Sequence, residues 1–211
     1  MFYAGALGRP GSNAEFHLVD ERLVGHKPRS LSDAEAAALP LTAVTAWETL
    51  FDRLDVRRPV PGAAPAILIV GGAGGVGSIA VQLARRLTDL TVIATASRPE
   101  TAAWVRELGA HHVADHSRPL AGEVAALDVV PFKRKSVSVH WELMFTRSMF
   151  ETADMGEQGR LLDEVSRLVD AGELKTTLTE RLSPIRAATL KRAHAMIESG
   201  RTRGKIVIEG F

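Results

Sequence analysis

The sequence predicts an α/β protein with a doubly wound parallel sheet, shortened from the usual six strands. Three observations carry this reading. Residues 66–70 (AILIV) form an uninterrupted apolar run, as expected of a strand buried on both faces of a parallel sheet. A glycine cluster at residues 71–77 follows and opens a helix-patterned segment. Beyond it, residues 90–96 and 112–114 read as two further strands, separated by a helix that Pro99 starts and Gly109 ends. A strand–helix–strand–helix–strand order implies parallel strands joined by right-handed crossovers.

Taken from the start, residues 1–28 are glycine-rich and irregular, with one short strand expected at residues 15–19. Ser32 with Glu35 three residues on is a capping box ahead of an alanine-rich helix, which Pro40 breaks. Residues 41–54 carry Val44, Trp47, Leu50, Phe51 and Leu54 at helical spacing. Residues 57–65 are a loop, and the helix after the glycines runs over 76–87 with Ile79, Val81, Leu83 and Leu87 on its apolar positions. A short helix is expected at 120–127. After it the pattern breaks, at residues 127–128. Residues 136–141 then read as a strand, 157–171 as an amphipathic helix, and 174–178 as strand-like. A helix over 184–199 and a strand over 205–208 close the chain.

Composition narrows the function. Twenty-six basic side chains against 25 acidic give a net charge of +1, without the basic excess of a nucleic-acid binder. The basic-leaning clusters at 53–58 and 201–205 read as solvated surface. The absence of cysteine removes disulfides, thiolate zinc sites and cysteine nucleophiles. Residues 1–10 lack the basic and apolar regions of a signal peptide. The longest uncharged stretch, 60–84, contains Pro61, Pro65 and the glycines, so it is a strand–turn–helix and not a membrane span. The expected setting is cytoplasmic, with no membrane and no nucleic-acid partner. His111, His112 and His116 lie close to Asp115, but strand alternation sends His112 and Asp115 to opposite faces, and no metal site is expected. No G-x-S-x-G nucleophile elbow is present.

The glycine cluster carries the chemistry. Gly72, Gly74 and Gly77 match G-x-G-x-x-G, in the strand-to-helix context that makes the motif a Rossmann dinucleotide fingerprint. Gly72 would permit the tight turn, Gly74 the approach of a pyrophosphate, and Gly77 close helix–strand packing, with Gly75 and Val76 lining the cradle. Free N–H groups and the positive end of the helix dipole face the phosphates. A nucleoside-triphosphate loop needs a lysine after the last glycine, where this chain has Ser78. At the end of the second strand, where an acid would hold the ribose of NAD, stand Ser97 and Arg98. A hydroxyl and a guanidinium suit a 2′-phosphate, so the expected cofactor is NADPH. Glu100 lies nearby, but Pro99 puts it inside the next helix.

These residues resemble a known family. Residues 40–47 (PLTAVTAW), the glycines at 71–77 and Ser97-Arg98 look like the medium-chain dehydrogenase/reductase superfamily. The stretches 132–150, 193–200 and 204–207 are similar to its quinone oxidoreductase branch, often labelled zinc-type alcohol dehydrogenase-like. The resemblance implies NADPH-dependent hydride transfer to a quinone or conjugated carbonyl, Thr45 near the nicotinamide, and a dimer edge along the strand from Ser136 to His140. Tyr3 is the one tyrosine and either orients a carbonyl oxygen or packs in the opening loop. The implied division is a remnant of a GroES-like, β-rich catalytic domain over 1–50, a Rossmann domain over 51–150 with an internal deletion near 127–128, and elements over 151–211 returning to the catalytic domain. The first residues resemble the middle of that catalytic domain, so the chain reads as a shortened relative. Either it remains an oxidoreductase, or it is a non-catalytic NADPH-binding or interaction protein left by deletion.

Overall fold

The computed structural model describes residues 1–11, 14–60, 62, 64–115, 117 and 137–210. Its centre is a three-stranded parallel sheet of β3 (Ala66–Ile69), β4 (Thr91–Thr95) and β5 (His112–Ala114), in the order β3-β4-β5. Two crossover helices, α3 (Gly75–Leu87) and α4 (Pro99–Glu107), join consecutive strands. This is one half of a doubly wound sheet, and the α/β expectation holds.

Around it lie an antiparallel pair, β1 (Phe2–Tyr3) with β2 (Val24–Gly25), and a parallel pair, β6 (Leu178–Leu182) with β7 (Lys205–Ile208). Helix α7 (Ala187–Glu198) connects the latter two. The capping box forms at the head of α1 (Asp33–Ala37), where the Ser32 side chain accepts from Glu35 N and Glu35 Oε2 accepts from Ser32 N at 2.9 Å. Pro40 is the first residue of α2 (Pro40–Trp47), a position that needs no N–H, and a π-helical turn extends the helix through Arg53. Helix α6 (Glu157–Asp170) buries Leu161, Leu162, Val165, Leu168 and Val169 at helical spacing and stops at Gly172, whose φ of 72° is left-handed. One apolar cluster runs from Phe2 through α2, α3 and β4 to α6 and Leu174.

Several expectations are corrected. Strand β3 is not buried on both faces: it alternates between exposed and half-buried, and Leu68 is 51% exposed. Alternate residues point to opposite faces, so the face that carries Ala66 and Leu68 is left open. Strand β3 pairs with β4 alone, so no described strand covers its other edge. Residues 15–19 form no strand, and Phe16 and Leu18 are exposed. The strand expected from Ser136 to His140 is absent over the described residues 137–140. Nothing described pairs with them in the single chain, and Val137, Val139 and Trp141 are exposed. Ser136 and the expected helix at 120–127 lie outside the described residues. The strand-like segment at 174–178 moves on to β6, because Leu174 turns into the core and Thr177 bonds the Ala38 carbonyl instead.

A short helix missed in the sequence, α5 (Thr146–Phe150), supplies the most buried guanidinium. Arg147 bonds Glu48 on the π-turn, Asp52 at 3.2 Å and Asp154 at 3.0 Å. Arg53 bonds Glu142 at 2.8 Å beside them. Two cations thus face four carboxylates, and Glu48 is only 1% exposed. Burial, reinforced by the neighbouring Glu142, pushes the Glu48 carboxyl up to about 8 despite Arg147. A proton kept on Glu48 relieves the local excess of negative charge.

Two outcomes follow. Arg147→Ala leaves buried carboxylates without their cation and lowers stability by about 3 kcal/mol, read from a denaturant melt. Glu48 has a folded-state value raised above that of an unfolded glutamate, so its contribution is full at acid pH. It is lost as pH climbs through about 8. The difference in Tm between this protein and Glu48→Gln therefore changes between pH 6 and 9 in the direction of lost stability for the parent, and a flat difference would refute the assignment.

Candidate functional site

The glycine turn is built from backbone meeting backbone. Gly71 takes the left-handed turn with a φ of 69°, a role the sequence reading gave to Gly72. Gly71 N donates to Thr95 Oγ1 at 2.9 Å and Gly72 N to the Thr95 carbonyl at 3.1 Å, which ties the turn to the end of β4. A Cβ on Gly72 would come within 2.7 Å of the Ala94 Cβ, so this position serves packing on β4. A Cβ on Gly77 would strike the Gly71 carbonyl and the Gly72 Cα, so Gly77 brings α3 against the turn as expected.

Gly74 is different. It begins α3 as the N-cap with an ordinary φ of −73°, and a Cβ there would meet only the Gly71 oxygen, at 3.4 Å. No side chain caps α3, and the first N–H groups of a helix, here on Gly75, Val76 and Gly77, have no intrahelical acceptor. Gly74 and Gly75 are half-buried and Val76 is exposed, so an anion can reach them. This geometry fits a dinucleotide pyrophosphate.

A cavity of about 370 Å³ adjoins the turn, lined by Ala46, Thr49, Val70, Gly74 and Val76 among others, and it is mostly apolar. It brings together Gly71, Gly74, Val76 and Gly77. It does not include Thr45, whose hydroxyl donates to the Leu41 carbonyl at 3.0 Å, and Thr49 stands one helical turn further on in its place. Tyr3 is also outside it. The Tyr3 ring lies 5.8 Å from that of His17, burial raises its pKa, and its hydroxyl has no partner among the described residues. A larger cavity of about 650 Å³ lies at the opposite ends of β3 and β4, and none of the expected site residues lines it.

At the end of β4, Ser97 is exposed and Arg98 becomes the N-cap of α4. The Arg98 guanidinium donates through Nε to Glu100 at 2.7 Å and through Nη2 to the Arg201 carbonyl at 2.8 Å. The turn that carries Arg201 belongs to the site as well. Gly204 N donates to the Ala73 carbonyl at 2.9 Å, and the Lys205 stem lies over Gly75, 2.8 Å from where a Cβ would stand. Sequence reasoning missed this turn, since nothing local links residues 201–205 to the glycine loop. It also set Glu100 aside, although the i+2 spacing lets a helix-start side chain fold back onto Arg98.

The donor set does not suit zinc. The chain has no cysteine, and among the described residues no three His, Asp or Glu side chains are placed so that they could hold a metal ion. His111 is engaged otherwise: its Nδ1 accepts from Val92 N at 2.9 Å. His116 lies outside the described residues. No helix among the described residues is long and apolar enough to cross a membrane.

Residues 109–208 match the family model for zinc-binding dehydrogenases. A zinc-type alcohol dehydrogenase-like protein from Staphylococcus aureus (strain COL) is 33% identical, over 99% of this chain and 74% of its own length. That match extends over 248 residues against a chain of 211, so the relative carries residues within the matched span that this chain lacks. The 2-methylene-furan-3-one reductase of Solanum lycopersicum is 30% identical over 94% of this chain and 52% of its own. The crystal structure of a candidate zinc-dependent alcohol dehydrogenase from Rhizobium etli CFN 42 superposes with a TM-score of 0.95 at 62% identity. It covers 99% of this chain and 73% of that one.

The two glycines separate packing from binding. Gly77→Ala drives a methyl into backbone and costs about 3 kcal/mol in a thermal or denaturant melt. Gly74→Ala leaves the melt within about 0.5 kcal/mol. If dinucleotide phosphates approach the start of α3 as the sequence implies, the methyl of Gly74→Ala weakens their binding at least tenfold by calorimetry.

Proposed function

Because the chain belongs to the zinc-type alcohol dehydrogenase-like proteins of the medium-chain dehydrogenase/reductase superfamily, a family of oxidoreductases, we propose that it binds NADPH and reduces a quinone or conjugated carbonyl. The observation that carries the reading is the uncapped, glycine-built start of α3 facing the end of β4, where Arg98 stands. The N–H groups of Gly75, Val76 and Gly77 would hold the pyrophosphate. Ser97 and Arg98 would hold the 2′-phosphate by charge-assisted hydrogen bonds. The bound nicotinamide supplies hydride to an electron-poor acceptor.

The remaining work falls to this chain's side chains. The apolar lining of the 370 Å³ cavity excludes water from the reacting face, and Thr49 and the Gly71 turn border it. Thr45 contributes through the helix that presents Thr49. The reduction needs placement more than acid–base chemistry, and no metal enters it. The Solanum lycopersicum relative is a reductase of 2-methylene-furan-3-one, an exocyclic enone, which favours a conjugated carbonyl as acceptor.

A second reading has its own support. The open edge of β3 and the residues lacking within the matched span favour a chain with an internal deletion near 127–128. Such a chain would bind the cofactor without turning it over.

Titration with NADPH and NADH, followed by tryptophan emission and calorimetry, tests the cofactor. A panel of quinones and enones, followed by NADPH oxidation, tests the reaction. Saturable binding with turnover, with affinity lost at least tenfold in Arg98→Ala, is the expected result. Binding without turnover across the panel would favour the second reading, and no binding by a cooperatively folded sample would sink both.

A further inference from the structure

Arg98 does not wait unpaired for a phosphate. Its guanidinium already makes two hydrogen bonds, to the Glu100 carboxylate at 2.7 Å and to the Arg201 carbonyl at 2.8 Å. A guanidinium has five N–H donors, so three remain on the same fork. The Arg201 carbonyl is a neutral acceptor on a turn fixed to the glycine loop through Gly204 and Ala73. Glu100 is a formal negative charge at the second residue of α4, on a side chain that is 58% exposed. Arg203 stacks over the Trp104 ring at 5.1 Å, and its charge also reaches Glu100. The corner where β4 ends therefore holds two guanidiniums with one carboxylate between them.

That carboxylate acts in opposite directions on the two forms of the cofactor. A 2′-phosphate bound at Arg98 must share the guanidinium with Glu100 and bear its like charge. A ribose that carries a free 2′-hydroxyl instead finds an acceptor in Glu100, as an acid at the end of the second strand supplies in NAD-binding sheets. Glu100 stays ionised for this. The backbone N–H at the helix start, and then Arg98, hold its carboxyl below the usual range.

Resting on the cofactor site assigned above, we propose that Glu100 is a specificity-determining residue. It pairs with Arg98 when no 2′-phosphate is bound, narrows the preference for NADPH over NADH, and makes the chain accept both. The pair is exposed, so its pull is modest and screened by salt. Removing the charge widens the preference by about three- to tenfold, the range expected for one exposed ion pair and one near like charge.

The test uses fragments that report the adenosine corner alone, so its outcome is separate from that of the turnover assays. The full chain and its Glu100→Gln variant are titrated by calorimetry with adenosine 2′,5′-bisphosphate and with 5′-AMP, at low and high salt. Gln keeps the length of the side chain and an oxygen for Arg98 while losing the charge. The expected result is bisphosphate binding tightened about three- to tenfold in Glu100→Gln at low salt, a smaller gain at high salt, and 5′-AMP unchanged or weaker. Glu100→Ser, which keeps a helix-start oxygen acceptor, gives the same sign. An unchanged ratio of the two affinities in both variants, or weaker bisphosphate binding, overturns the proposal, as does failure of the parent chain to bind either fragment.

Discussion

The site depends on a backbone-to-backbone approach that only glycine allows. At Gly77 the first turn of α3 rests on the peptide between Gly71 and Gly72, and at Gly72 that peptide rests on Ala94 of β4. Any side chain at either point would move the helix away from the sheet. The helix would then lose its place against α2, and the turn before β7 would lose the Ala73 carbonyl that anchors it. The free N–H groups at the start of α3 are therefore aimed by packing two residues away from them. Gly74, which lies between, is left as the position where space stays open.

A second constraint is electrostatic and lies on the other side of α2. The π-turn that continues this helix places Glu48 and Asp52 toward Arg147, and Arg53 toward Glu142. Helix α5 has five residues and could not persist alone in water. It is held by its guanidinium and by Met144 and Phe145, which pack into the core just before it. Burial raises the pKa of the most buried of the four, Glu48, which eases the crowding of negative charge there. Such an arrangement ranks geometry above net stability, because an apolar filling of the same space would bind as well but would not orient α5.

What could be read in the sequence, and what could not, follows from the range of the interactions. The bounds of β5 and β7, the capping box at Ser32 and the stop at Gly172 are local matters of pattern and turn chemistry, and they were legible. The glycine turn was legible because its neighbours in sequence are its neighbours in space. Burial of β3 was misread because an apolar run implies partners on both sides and cannot say whether the second partner is there. The segment at 137–141 has strand-forming residues but pairs with no strand among the described residues. Thr45 lies on the helix that borders the cavity, one turn before Thr49, which lines it. The partners of Arg98 were invisible, since one of them is a carbonyl 103 residues away.

That last separation has a consequence for how the molecule comes into being. The sheet and both crossover helices lie within residues 66–114, so their contacts close short loops and form early. The turn at 201–205, whose Gly204 N–H holds the Ala73 carbonyl, is synthesised well after that sheet. A nascent chain thus carries a formed glycine turn before it carries the carbonyl that positions Arg98. The orientation of Arg98 is therefore settled later than the sheet that carries it, by a contact that closes over 103 residues.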